Sequence, residues 1–176
     1  MKISISKGQL SARELTALAA MGALMFALKL AVAALPNIHP VAMLVILTAL
    51  HFSWRSLYAI AIYVLLEGMI FGFGLWWVSY LYAWPLLAVL TILLRKSGGG
   101  RMFWACLAGG FGLSFGALCA IPYLFIGGVP MAFSYWVSGI PFDLLHCGGN
   151  FAVTFALLPT LQRLMERIAS VERKIA

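Results

Sequence analysis

The stretch VAMLVILTALHF at residues 41–52, followed by SWR at 53–55 and SLYAIAIYVLLEGMIF at 56–71, decides the fold. A helix rises about 1.5 Å per residue, so about 20 apolar residues cross the hydrocarbon core of a bilayer. The run at 41–52 is shorter than that, and charge decides whether it counts as a span. Counted, with the N-terminus inside, it puts Lys2, Lys7, Arg13, Arg55, Arg95, Lys96, Arg101, Arg163, Arg167, Arg173 and Lys174 on the inner side, leaving of the 12 basic residues only Lys29, which lies within a span. Left out, Arg55 and the Arg95–Arg101 loop fall outside, against the positive-inside rule.

Working outward, a first span covers Ala12–Leu35 and is closed by PNIHP at 36–40. Spans follow at Val41–Phe52, Ser56–Phe71 and Trp76–Leu94, and a fifth runs from Met102 to Ile121. A turn-rich stretch with Pro122, Gly127, Gly128 and Pro130 precedes a last span from Pro141 to Leu161. The expected fold is all-α: a polytopic membrane protein, one integral domain over residues 1–176, built as a compact six-transmembrane-helix bundle with cytoplasmic N- and C-termini.

Composition points the same way. Of 176 residues 64% are hydrophobic and 10% charged, whereas a soluble domain is about half apolar and a quarter charged. So short a chain has too little interior to hide that surface from water. This excludes an ordinary soluble domain, a disordered tail and a disulfide-stapled module. The net charge of +7 reads as orientation in the membrane, not nucleic-acid binding. Cys106, Cys119 and Cys147 are odd in number and lack CxxC spacing, so they read as small hydrophobes. Ala31-Val32-Ala33 looks like a signal cleavage site, but the run before it is long and interrupted by Lys29, so an uncleaved first span is expected. After Leu161 the apolar residues keep helical spacing, which extends the last helix along the inner membrane surface.

Three formal charges lie within or at the edge of spans: Lys29, Glu67 and Asp143. Each costs about 2.5–3.5 kcal/mol at the centre of an inserting helix. All three fall in the outer half. Lys29 lies six residues, about 9 Å, before the end of its span. Asp143 falls in the first turn of the last span behind Pro141, with His146 and Asn150 at i+3 and i+7 on its face. One reading is structural, an ion pair of Lys29 with Glu67 or Asp143, or Asp143 serving a helix N-terminus. The other is a polar pocket open to the outside, since intramembrane ionisable groups mark ligand or ion paths.

Aromatic residues crowd the same side. Phe71, Phe73, Trp76, Trp77, Tyr80, Tyr82 and Trp84 gather at the third and fourth spans, and Tyr123, Phe125, Phe133, Tyr135 and Trp136 in the last outer loop. An interfacial belt explains some of these. The surplus above a polar trio suits a cavity that stacks a flat heterocycle and hydrogen-bonds its edges. Asn37 and His39 sit between two prolines in the first outer loop. No histidine–cysteine–carboxylate spacing suggests a metal centre. Small-residue stripes at Ala19, Ala23 and Ala27, and at Ala108, Gly112, Gly116 and Ala120, allow close helix approach, within the bundle or to a partner. No GxxxxGK[ST] or HExxH motif occurs, so the chain does not power ATP-driven transport alone.

Taken with ALPNIHPV at 34–41 and SGIPFDLLHCGGNF at 138–151, these features resemble the substrate-binding S components of energy-coupling factor (ECF) vitamin transporters, and the likeness spans essentially the whole chain. The resemblance implies capture of a vitamin-like small molecule at the outer face of a prokaryotic plasma membrane. Lys29, Asn37, His39, Glu67, Trp76, Trp77, Tyr80, Trp84, Asp143, His146 and Asn150 would contact that substrate. It implies docking through Ala19, Ala23 and Ala27 on a transmembrane coupling subunit. Two cytoplasmic ATPase subunits would bind the ATP, leaving the chain with no cofactor of its own. The outer loops, Pro36–Pro40 and Tyr123–Ile140, would close over the ligand. Two other classes fit the residues less well: a self-sufficient ion-coupled carrier, and a membrane enzyme using Asp143 and His146 as acid and base.

Overall fold

The structure, a computed structural model, describes residues 10–34 and 38–175, with side chains described through residue 170. Asn37 therefore lies outside the described residues. Among the described residues there are five α-helices: α1 (Ala12–Ala31), α2 (Val41–Phe52), α3 (Ser56–Phe71), α4 (Leu75–Leu94) and α5 (Arg101–Ile175). No strand occurs among the described residues. Four helical stretches among the described residues are long and apolar enough to cross a membrane: Ala12–Ala31, Val41–Phe71, Leu75–Ser97 and Arg101–Ser170. Large apolar side chains face outward, with Phe125 86%, Met69 71% and Leu93 64% exposed. That surface suits lipid rather than water.

Helix α1 begins on a capping box. The Ser11 side chain accepts from the Glu14 backbone N–H, and the Glu14 carboxylate accepts from the Ser11 N–H, satisfying two otherwise orphaned donors. It ends at Ala31 rather than at the expected Leu35, which places Lys29 in its last turn. A cation there is favoured by the helix dipole.

Contacts fix the helix directions. Lys29 pairs with Glu67 and Glu14 with Arg55, and Gly22 lies against Ala59 and Ile62. Pairs that advance together along both helices mean that α1 and α3 run parallel, so α2 between them runs back. Helix α2 is the axis of the bundle, with every side chain from Val41 to Ala49 buried. The reversal after it turns on Ser53 at φ 52°, a left-handed conformation uncommon for a residue with a Cβ.

Helix α5 has 75 residues and would be about 110 Å long if straight. It folds back at Gly127 and Gly128, where the backbone leaves helical geometry and Gly128 takes φ 69°, a value glycine adopts without steric cost. The Asn150 amide donates to Ala108 O, the Gly116 N–H to Asp143, and Tyr123 stacks on Tyr135 at 4.2 Å. These pairs converge on the Gly127–Gly128 break, so 101–126 and 129–175 form the two arms of an antiparallel hairpin. Glycines let the arms touch: a Cβ on Gly112 would sit 2.7 Å from His146 O, and one on Gly116 2.2 Å from the Asp143 carboxylate. The Ala108, Gly112, Gly116 stripe thus packs within the bundle.

Two expectations are corrected here. The expected outer loop Tyr123–Ile140 is helical except at Gly127 and Gly128, because Pro122, Pro130 and Pro141 sit inside helix. Proline in an apolar helix is tolerated where neighbouring helices compensate the lost bond. Asp143 consequently lies well inside the second arm rather than in a first helical turn, so a helix N-terminus does not account for it.

Candidate functional site

Parallel α1 and α3 bring Lys29 and Glu67 to one end of the bundle, and α4, running back, delivers Tyr80 to them. The Lys29 ammonium donates to Glu67 Oε2 at 2.6 Å and to the Tyr80 hydroxyl at 3.2 Å. Lys29 also lies 5.1 Å from the Tyr80 ring centroid. Of the two partners expected for Lys29, the structure selects Glu67. That carboxylate is 1% exposed, so the pair satisfies a charge otherwise costly to bury.

Beside the pair stands an aromatic box. Trp84 is fully buried and meets Tyr63 at 5.7 Å, Tyr80 at 5.7 Å, Phe111 at 5.5 Å, Phe115 at 5.5 Å and His39 at 6.2 Å. His39 reaches in from the α1–α2 connection and lies 5.2 Å from His146, which is 4.9 Å from Phe115. Burial, with His146 and Lys29 nearby, pushes the His39 imidazole down to about 3. Asp143 completes this side: its Oδ1 accepts the Gly116 N–H at 2.9 Å, next in chain to Phe115.

What distinguishes the region is unmet hydrogen bonding. Among the described residues, eight buried side-chain atoms have no partner: His39 Nδ1, Tyr63 Oη, Glu67 Oε1, Trp84 Nε1, Asp143 Oδ2, His146 Nε2, Asn150 Oδ1 and Thr154 Oγ1. Six cluster around the aromatic box, and Asn150 and Thr154 continue the same face of the second arm inward. Native proteins leave few such groups, and each costs about 1–3 kcal/mol. Their concentration in one place makes this region the candidate site.

The sequence-derived residues divide as follows. Lys29, His39, Glu67, Tyr80, Trp84, Asp143 and His146 come together, with Asn150 one turn further along. Trp76 braces Tyr80 edge-on at 5.2 Å. Trp77 donates to Val64 O at 2.8 Å, and so ties α4 to α3. Tyr63, Phe111, Phe115 and Thr154 were not singled out, although signals existed. Tyr63 stands one turn before Glu67, and Thr154 continues the face of Asp143, His146 and Asn150.

Asp143 and His146 form neither a hydrogen bond nor an ion pair with each other, so they are not an assembled acid–base couple. No group of three or more potential metal ligands occurs among the described residues. An open groove of about 380 Å³ between α4 and the first arm is lined by Leu86, Leu90, Leu107, Leu118 and Phe111, the last of which also borders the aromatic box. It contains none of the unpartnered groups and is not the candidate site.

On α1, Ala23 and Ala27 are exposed and Ala19 is half-buried. The close approach to α3 is made instead by Gly22, where a Cβ would stand 2.5 Å from Ala59 O. The alanine stripe is left on an outer face. No protein-family model, curated protein or solved structure matches the chain.

Proposed function

We propose that the protein is a substrate-capture subunit of an ECF-type importer, binding a vitamin-like small molecule at the outer face of a prokaryotic plasma membrane. The observation that carries the reading is the cluster of buried, unpartnered hydrogen-bonding atoms inside an aromatic box at one end of an apolar helical protein. Such a site binds a flat polar molecule without needing a reactive group. The aromatic walls exclude water, and Trp84, His146 and Glu67 present donors and acceptors to the ligand edge.

In this reading the chain crosses the membrane six times with both ends in the cytoplasm. The run-back of α2 and the hairpin of α5 support six traverses. Orientation is supported by Arg13, Arg55, Arg95, Lys96, Arg101, Arg163 and Arg167, which lie at the end remote from Lys29, as cytoplasmic basic residues do. Ala19, Ala23 and Ala27 give a coupling subunit a smooth surface for close helix approach, and an ATPase pair supplies the energy.

The test is affinity purification of the tagged chain from its native membrane. Co-purification of a transmembrane subunit with two ATPases is expected, together with uptake that Ala23→Trp abolishes. Uptake by the isolated chain driven only by an ion gradient would overturn the proposal in favour of a carrier.

A further inference from the structure

We infer that the cargo is a flat heterocycle bearing N–H donors, neutral or cationic, and that carboxylated or phosphorylated compounds are refused. This rests on the capture reading and narrows the ligand chemistry of the same site.

The charges in the box carry the argument. Glu67 Oε2 is taken by Lys29, while Oε1 is buried without a bond of full hydrogen-bond geometry, the Tyr63 hydroxyl lying beside the carboxylate. Asp143 is 5% exposed, has only a backbone N–H on Oδ1, and leaves Oδ2 unpartnered. Among the described residues no lysine, arginine or histidine forms an ion pair with it. The two carboxylates flank one aromatic contact. Glu67 reaches Tyr80 through Lys29, while Asp143 is held by the residue after Phe115, whose ring is 5.9 Å from that of Tyr80.

The Lys29-paired Glu67 carboxylate is an acceptor only, so its Oε1 asks for a donor; Asp143, with no cation against it, holds a charge only when a donor meets Oδ2. Trp84 Nε1 is a donor only and asks for an acceptor, such as a ring nitrogen or carbonyl. An amino-substituted nitrogen heterocycle supplies both on one flat frame, and its faces suit stacking in the box. An anion finds the reverse. The one lysine here already donates to Glu67 and Tyr80, and the other described lysine and arginine side chains lie at the opposite end; His39 and His146 border the box as imidazoles without a carboxylate partner. A phosphate or carboxylate would have to break the 2.6 Å pair and lie near the Glu67 carboxylate, and a buried charge without a partner is strongly disfavoured.

The test is isothermal titration calorimetry on the detergent-purified full chain. The donor-bearing probes are thiamine, adenine and pterin, and the anionic probes are nicotinate, biotin and FMN. Saturable binding of at least one donor-bearing probe and of no anion is expected. Asp143→Asn, which keeps the shape, should weaken that binding by about 10- to 100-fold, the range for losing one charge-assisted hydrogen bond. Removing donors from the probe tests the same point without touching the fold: a donor-bearing binder should lose affinity similarly when its exocyclic amine is dimethylated. Binding of an anionic probe overturns the inference and leaves the capture reading standing. Silence from all six probes by a chain that co-purifies with an ATPase pair does the same. A chain that binds nothing and brings no ATPases loses both.

Discussion

Replacing Lys29 by methionine removes the charge and keeps the length and apolar stem of the side chain. Glu67, at 1% exposure, then stays buried without its cation. Breaking a buried pair from one side costs about 3–5 kcal/mol. The Lys29 side chain is 24% exposed, so solvent screens part of the interaction, and the lower figure of about 2–3 kcal/mol is expected. For a chain of this size each kcal/mol moves the melting temperature by about 2–4 °C, so Lys29→Met should melt about 4–12 °C below wild type. Adding Glu67→Gln removes the stranded charge while leaving an amide to bond Tyr80, and most of the loss should return. The assay is a thiol-reactive dye during a thermal ramp in detergent, run in a Cys106→Ser, Cys147→Ser background because those two thiols are less buried, so that the signal comes from Cys119, which is buried and becomes reactive on unfolding. A single variant that melts within about 2 °C of wild type, against the range above, refutes the reasoning. So does a double variant no more stable than the single. The two oxygens of Glu67 also separate stability from binding: the double variant should regain stability without regaining ligand affinity, because Oε1 is the unpartnered acceptor.

Three further outcomes follow from the packing and charge. Gly112→Ala puts a Cβ 2.7 Å from the backbone oxygen of His146, which cannot swing aside, so the α5 arms must part and the melting temperature should fall by several degrees. Gly110→Ala and Gly148→Ala meet nothing within 4 Å and should raise stability by about 0.5–1 kcal/mol each through helix propensity; a loss at either on thermal melting would contradict the exposed placement of those faces. Because His39 is held at about 3 against an ordinary 6.5, the unfolded chain takes up its proton first. Stability is therefore full above about pH 6.5 and is lost progressively as pH falls toward 3, and a His39→Gln variant should show a flatter melting profile over that window.

Much of the fold was legible because lipid imposes simple rules. The bounds of α2 and α3 stand where hydrophobic runs and Arg55 put them, since a charge at a span end is costly anywhere else. The hairpin of α5 was legible only in part. Pro122, Gly127, Gly128, Pro130 and Pro141 look equally like breakers, yet the chain breaks only at the two glycines. A proline removes one donor and leaves φ helical, whereas Gly128 adopts a φ that reverses the chain. Local composition weighs these alike, and only the contacts between the arms tell them apart. The same misreading put Asp143 in a first helical turn, where the dipole would have explained it. Placed in mid-helix opposite Gly116, it has no such explanation.

That difference changes what the buried charges mean. Lys29 and Glu67 satisfy one another, and by themselves they fit a structural pair that orders α1 against α3. Asp143 does not join them, although its Cα lies on the helix face that carries His146 to the same aromatic box. A fold that needed only helix order would replace a buried carboxylate lacking a cation with an apolar residue, which is often neutral or stabilising. Glu67 also keeps one oxygen unpartnered on the side where Tyr63 and Trp84 keep theirs. Three elements that meet only after folding, α3, α4 and the second arm of α5, thus leave hydrogen-bonding capacity open around one set of rings. Helix order alone requires none of it; a flat bound molecule with donors for the carboxylates and an acceptor for Trp84 Nε1 is the occupant we propose for it.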